Sequence, residues 1–370
     1  MNKSELQTPA VLVDLDIMTN NIRVCQELCN KNGKELWPMV KTHKSTEIAK
    51  MQEEAGATGF LCGTLDECEG LCEAGIKNMM YAYPVASSTN IERVIALVKK
   101  CNFIIRLDDI DGAKMINKAA EEAGVKINYT IIIDSGLNRF GIQPEKAVDF
   151  ANSLKELRGL VFKGISTHPG HVYSAQSHKD IPKYVEDERT AIKKAVDSLK
   201  GAGYSLEIVS SGSTPTFFGA VTEENINILH PGNYIFNDYI QMSTDIATEA
   251  ECALSVYTTV ISHPTEGHYM CDAGSKTFGL DKGAHGNASI KGYGYVKGHP
   301  ELTVSSLSEE VGKLQVEGST NLKVGDKLEI IPNHSCSSAN LTSYLIGCRG
   351  DNVERLIKID LRGNSTTKNV

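Results

Sequence analysis

A lysine amine, an imidazole next to a thiol and a run of small hydroxylated residues are the groups in this chain whose types and spacing can do chemistry. Lys41 ends the apolar run 36–40 and precedes Thr42-His43-Lys44-Ser45, where Ser45 is placed to cap a helix that begins near Thr46. A lysine at that junction, partly shielded and with Lys44 close in sequence, is placed to be nucleophilic toward a carbonyl. A solvated loop lysine has the same composition, so the role rests on what surrounds it. His334 and Cys336 follow the β-type run 327–331, are separated by Ser335, and can face one ion if the turn bends. Imidazole plus thiolate suits Zn2+ better than Mn2+ or Mg2+, although two ligands do not by themselves define a site. Ser211-Gly212-Ser213-Thr214 precedes a predicted helix start and offers backbone amides and hydroxyls, the make-up of a phosphate nest. Gly232 and Asn233, after Pro231, can add amides from the next loop.

The elements that must position these groups are legible as alternation. β-rich runs at 36–40, 58–61, 79–83, 103–107, 129–133, 160–166, 206–209 and 226–229 are separated by stretches of helical period such as 64–74, 90–100, 112–123 and 184–200. Repeated strand-then-helix units predict an α/β fold whose first part is a closed parallel (β/α)8 TIM barrel, with an open doubly wound sheet as the alternative. Lys41 then lies at the carboxyl end of a barrel strand, the face where barrels keep their chemistry. After residue 242 the pattern changes to β-type runs at 253–262, 268–271, 288–296, 312–316, 327–331 and 355–360, broken by Gly, Pro and Asn. The expected division is a barrel over 12–242 and a β-rich domain made of 1–11 and 243–370.

With 370 residues, 41% hydrophobic and 23% charged, the chain can bury a large core, and a net charge of -8 gives no basic surface for nucleic acid or anionic lipid. A small-molecule partner is expected instead. No stretch approaches a membrane span and residues 1–9 are polar, so a cytoplasmic location is expected. Ten cysteines without a dense framework read as reduced thiols; Cys25 with Cys29 and Cys68 with Cys72, at helical spacing, read as buried packing rather than metal ligands.

Thr8-Pro-Ala-Val-Leu-Val-Asp-Leu-Asp16 followed by Val40-Lys-Thr-His-Lys-Ser45 resembles the opening of the alanine-racemase-like, fold-type III pyridoxal-phosphate (PLP) enzymes, in the branch that holds D-threonine aldolase and D-serine dehydratase. The resemblance runs in order through Ala82-Tyr-Pro84, Ile133-Asp-Ser-Gly-Leu-Asn-Arg-Phe-Gly141, Thr167-His-Pro-Gly-His171, Ser210-Ser-Gly-Ser-Thr-Pro215, His230-Pro-Gly-Asn-Tyr234, Asp272-Ala-Gly-Ser-Lys276 and Pro332-Asn-His-Ser-Cys336. Each motif is short; their order over nearly the whole chain carries the resemblance. It implies a Schiff base between Lys41 and PLP, phosphate binding by 211–214 and 232–233, a bond from Arg139 to the phenolic oxygen, and His168 packed on the pyridine ring. Tyr173 and Tyr234 are expected to line the same pocket.

Within the branch, a His-x-Asp pair accompanies aldolases and hydroxyaspartate enzymes, whereas His334-Ser-Cys336 resembles the zinc site of D-serine dehydratase. The implied activity is a metal-dependent lyase on D-3-hydroxy amino acids, first D-serine to pyruvate and ammonia by α,β-elimination, with Lys41 as α-proton base. Retro-aldol cleavage to glycine and an aldehyde is the alternative, followed by racemisation and by a PLP carrier without turnover. A head-to-tail homodimer is also implied. Two departures bear on substrate choice: Trp37-Pro38-Met39 stands where the family usually has Arg-Pro-His, and Val311 follows Glu309-Glu310 where a histidine is common.

Overall fold

Eight short parallel strands, Glu35–Leu36, Phe60–Cys62, Asn78–Tyr81, Asn102–Leu107, Ile127–Ile132, Leu160–Ser166, Ile208–Ser211 and Ile228–Leu229, pair in one sheet in the computed structural model, which describes residues 1–283 and 290–362. Glu35–Leu36 pairs with Ile228–Leu229, and a parallel bridge from Met39 to Leu61 closes the ring, so the expected barrel is the observed one. Alternation along the strands builds two apolar layers. Phe60, Ile105, Ile131 and Ile165 face outward into the large core under the helices, while Leu61, Met80, Ile104, Ile208 and Ile228 face inward around Trp37 and Met39.

All eight expected runs fall on these strands, with one difference in form. The run 36–40 pairs at 35–36 and then only through single bonds: Trp37 N to the Leu229 carbonyl at 2.9 Å, Met39 N to the Pro231 carbonyl at 3.1 Å and Leu61 N to the Pro38 carbonyl at 2.9 Å. Pro38 has no amide to donate, which breaks the ladder. The chain then tightens into a 3-10 turn, Val40–Thr42, so Lys41 stands just past the strand rather than in it. Ser45 caps Thr46–Glu54 as expected, its hydroxyl accepting from Ile48 N at 3.4 Å. The helices Leu65–Glu73, Ser88–Val98, Ile110–Glu122 and Ile181–Gly201 coincide with the expected helical stretches.

A nine-stranded sheet forms the β-rich part. The expected runs appear as Leu254–Thr265, His268–Cys271, Gly294–Val296, Gly312–Val316, Lys327–Pro332 and Asn352–Lys358, although residues 288 and 289 of one expected run lie outside the described residues. Leu302–Leu307 and Tyr344–Arg349 join them without having been marked by alternation. So does Ala10–Asp14, which pairs antiparallel with Leu254–Thr265 and parallel with Tyr344–Arg349. That strand spans the expected boundary between 11 and 12. Asp14 then caps the long helix Leu15–Lys31, its carboxylate accepting from Asp16 N and Ile17 N, so one short segment links the nine-stranded sheet to the barrel's helical layer.

All ten cysteines are free thiols; Cys25, Cys29 and Cys68 are buried and Cys72 is half-buried, as packing requires. Trp37 is the largest group in the inner layer, 5% exposed, with Nε1 donating to Glu35 and to Thr58, each at 3.0 Å. A Cβ on Gly59 would stand 2.5 Å from its ring, so the indole fills its space. Trp37→Ala should therefore lower stability by about 3–5 kcal/mol, read by circular dichroism during urea unfolding; an unchanged midpoint would contradict this packing.

Candidate functional site

A cavity of about 180 Å³ opens at the carboxyl end of the barrel strands. Lys41, Arg139, His168, Tyr173, Gly212, Ser213, Thr214, Gly232, Asn233, His334 and Cys336 all line it, so residues from eleven positions expected to act together are brought to one space. Two expected residues are not. Ser211 is fully buried and its hydroxyl donates to Glu188 behind the cavity wall. The Tyr234 hydroxyl accepts from Gln52 Nε2 at 2.8 Å, away from the cavity, while its backbone N donates to Thr214 Oγ1 at 3.0 Å.

Lys41 makes no ion pair with a described carboxylate, although Lys44 does. Lys44, held at a φ of 46°, pairs with Glu67, which is wholly buried and also accepts from Gly63 N at 2.6 Å. The expected influence of Lys44 on Lys41 is thus changed: Glu67 matches the Lys44 charge. One amine of the two is left facing the cavity.

The helix after 211–214 is one turn long, Phe217–Ala220, so this wall offers backbone amides and hydroxyls rather than a helix end. Gly212 is obligatory because a Cβ would stand 2.5 Å from the His230 backbone, and a Cβ on Gly232 would stand 2.8 Å from Thr42 Oγ1. The Gly212 carbonyl accepts from His168 Nδ1 at 2.8 Å, which fixes the ring and leaves Nε2 as the other pole. Arg139 sits at the exposed rim, its guanidinium 5.9 Å from the Tyr83 ring and 5.4 Å from the Phe140 ring. Burial pushes the Tyr173 hydroxyl up, Cys336 and Asp238 add to the rise, and Gln241 opposes it.

His334 and Cys336 flank the start of the helix Ser335–Leu341, and that turn supplies the bend the sequence required. Both side chains line the cavity, and Cys336 Sγ lies 3.4 Å from Thr42 Oγ1, next to Lys41. Burial opposes a charge on His334, but Cys336, Asp281 and Asp238 together raise its pKa well above the usual imidazole value. Burial likewise resists ionising Cys336, and facing His334 lowers its thiol. Asp281 Oδ2 stands 3.7 Å from His334 Nδ1, which has no hydrogen-bond partner. Among the described residues no group of three or more His, Cys, Asp or Glu side chains is arranged to hold a metal. A half-buried imidazole and thiol, with Nδ1 of the imidazole lacking a hydrogen-bond partner, fit one soft divalent ion whose other positions stay open.

Arg106 and His230 also line the cavity and were not assigned a role from sequence. Burial lowers the Arg106 guanidinium to about 9; Nε donates to Met80 Sδ at 3.1 Å and Nη2 has no partner. His230 donates from Nδ1 to the Trp37 carbonyl at 2.9 Å, and burial, aided by Arg106, lowers it to about 3. It is therefore neutral, with a bare Nε2 lone pair that nothing in the protein satisfies. An arginine within Phe103-Ile-Ile-Arg-Leu107 was the available signal. Unpartnered buried poles, a lone amine and a wall of amides and hydroxyls fit a flat phosphorylated heteroaromatic aldehyde such as PLP.

Residues 13–239 match the family model described as "Alanine racemase, N-terminal domain", and residues 253–348 match the "Putative serine dehydratase domain". The chain belongs to the alanine-racemase-like family. It is 28% identical to 3-hydroxy-D-aspartate aldolase of Paracoccus denitrificans (strain Pd 1222), over 98% of this chain and 94% of that one. It is 29% identical to D-serine dehydratase of Dictyostelium discoideum, over 94% and 95% of the two chains. The solved D-threonine aldolase from Filomicrobium marinum superposes with a TM-score of 0.90 at 26% identity, covering 98% of both chains. This alanine-racemase-like chain is accordingly a PLP-dependent lyase of the branch that works on D-amino acids.

If Glu67 matches the Lys44 charge, Glu67→Gln leaves a shielded ammonium without its counter-ion. The expected cost is about 3–5 kcal/mol in urea unfolding, and adding Lys44→Met should recover most of it; an equal loss in the single and double variants would show that the pair is not coupled.

Proposed function

We propose that this enzyme is a D-serine dehydratase that eliminates water across Cα and Cβ and yields pyruvate and ammonia. The observation that carries the reading is the contact of Cys336 Sγ with Thr42 Oγ1 at 3.4 Å, which sets the His334 and Cys336 pair beside the Lys41 turn. PLP, when bound, supplies an electron sink for charge that develops at the substrate Cα. Lys41 would hold the cofactor's carbonyl carbon, and Gly212, Ser213, Thr214, Gly232 and Asn233 would hold its phosphate. Arg139 and His168 are assigned to the phenolic oxygen and the ring face, and Tyr173 to the wall; Ser211 and Tyr234 support the phosphate segment from behind.

Lys41 Nζ, without an ion-pair partner, takes the proton from Cα once its amine is free. His334 and Cys336 would hold a divalent ion, for which zinc suits the donors better than Mn2+ or Mg2+, and a Lewis acid there stabilises charge on the β-oxygen. Tyr173 and Gln241 close the cavity near Cys336 and limit water beside the departing hydroxyl. The head-to-tail homodimer comes to this reading from the resemblance; among the described residues no helix is long and apolar enough to cross a membrane.

The aldolase relative matched over 98% of this chain supports the second reading, retro-aldol cleavage with the same amine and ion site. The two separate by product. Purified protein with D-serine, D-threonine or D-3-hydroxyaspartate, with and without chelator, should give oxo acid and ammonia, with loss on chelation and return on adding zinc. Glycine plus aldehyde would decide for the aldolase. Lys41→Ala should abolish the borohydride-sensitive imine absorbance and lower kcat by at least about 10²-fold; an imine band that survives the substitution would remove Lys41 from its role.

A further inference from the structure

Asn233 opens the 3-10 turn Asn233–Ile235 and is 5% exposed. The backbone around it is held from two sides: Tyr234 N donates to Thr214 Oγ1 at 3.0 Å, and Met39 N donates to the Pro231 carbonyl at 3.1 Å. Its side chain leaves that wall for the other end of the cavity. Nδ2 donates to Asp238 Oδ2 at 2.6 Å, to Ser335 Oγ at 3.0 Å and to Cys336 Sγ at 3.6 Å. An ionised carboxylate only accepts, so the bond to Asp238 decides which end of the amide faces the sulfur. Nδ2 carries two protons, and Ser335 and Cys336 share the one that Asp238 leaves. A single residue thus has its backbone in the 232–233 turn and its side chain on the thiol of the ion pair.

We propose that Asn233 is a positioning residue that couples two sites: a phosphate monoester held at the 232–233 turn and a divalent ion held by His334 and Cys336 each bind more tightly when the other is present. This rests on the reading of 211–214 and 232–233 as the segment that holds the cofactor's phosphate, and of His334 and Cys336 as ion ligands. Both occupants require one conformation of one turn. A phosphate there fixes the Asn233 backbone, and the backbone carries the amide to Cys336. An ion on Cys336 fixes the sulfur and, through Nδ2, the side chain and the turn. Whichever binds first removes freedom that the second would otherwise have to remove. Cys336 Sγ also donates to Thr42 Oγ1 at 3.4 Å, but that contact comes from the Lys41 turn; the one from Asn233 comes from the phosphate side. A dication attracts a phosphate through space as well, and the two causes separate because only one of them needs the amide.

The test is equilibrium titration of apoprotein with PLP and with pyridoxal, which lacks the phosphate, followed by imine absorbance in wild type and Asn233→Ala. Each titration is run in chelator and in Zn2+ held above its own Kd, that Kd being measured against a chromophoric chelator. In wild type, Zn2+ should lower the Kd for PLP at least about fivefold and the Kd for pyridoxal less than about twofold, and PLP should tighten Zn2+ by the same factor as Zn2+ tightens PLP. In Asn233→Ala the effect of Zn2+ on PLP should fall below about twofold. No effect of Zn2+ in wild type, or an equal effect on PLP and pyridoxal, would overturn the inference; so would a wild-type effect that survives intact in Asn233→Ala, which would assign it to attraction through space. The wild-type comparison decides alone if the variant does not fold or does not hold zinc. Wild type that forms no imine with PLP would overturn the cofactor reading, and Zn2+ affinity unchanged in Cys336→Ala would overturn the ion reading, each taking this inference with it.

Discussion

Asp238 is the constraint on which the two parts of the molecule meet. Its carboxylate is wholly buried and accepts from Asn233 Nδ2 at 2.6 Å on the barrel side, from Ser335 N at 2.9 Å on the side of the nine-stranded sheet, and from Gln241 N at 3.1 Å in its own helix. Burial raises its pKa, and His334, Ser335, Asn233 and Gln241 oppose that rise. Charge-assisted bonds of this kind are strong and directional. Because Ser335 lies between His334 and Cys336, fixing its amide fixes both neighbours, and Cys336 then reaches Thr42 beside Lys41. Lys41 and the His334 and Cys336 pair are held in register by a carboxylate that joins neither side chain.

The barrel could be read in the sequence because its strands are short, apolar and punctuated by helices of clear period. The β-rich part was read less fully for a physical reason. Ala10–Asp14 is buried along almost its whole length and so shows no alternation, and it takes its partners from residues more than two hundred positions away. The site was legible where local motif and position coincide, as at Lys41, Gly212 and His334. Ser211 and Tyr234 belong to the right segments, but a side chain's direction in an irregular loop has no period to betray it. Arg106 announced itself as a charge in an apolar strand; His230, by contrast, depends on a carbonyl contributed from residue 37.

Several of the cavity's polar groups are expensive in isolation. The unpaired Arg106 Nη2 and the bare His230 Nε2 each forgo hydration without a protein partner in return. Other polar groups of the barrel are tied off within the protein, as Lys44 is by Glu67 and Gly159 N is by Asn117 at 2.7 Å. Unsatisfied poles gathered at the carboxyl end of the strands mark where the protein's own bonding stops and a bound molecule's begins.

Trp37, whose carbonyl holds His230 and whose ring packs with Met39 and Leu61 of the cavity lining, is the sole tryptophan of the chain. The molecule therefore carries one indole fluorophore, built in one layer beneath the site, with no second indole to dilute its emission. Its emission overlaps the absorbance of a conjugated imine, so energy transfer from Trp37 makes the barrel floor an optical gauge of what occupies the space above it, readable without a label.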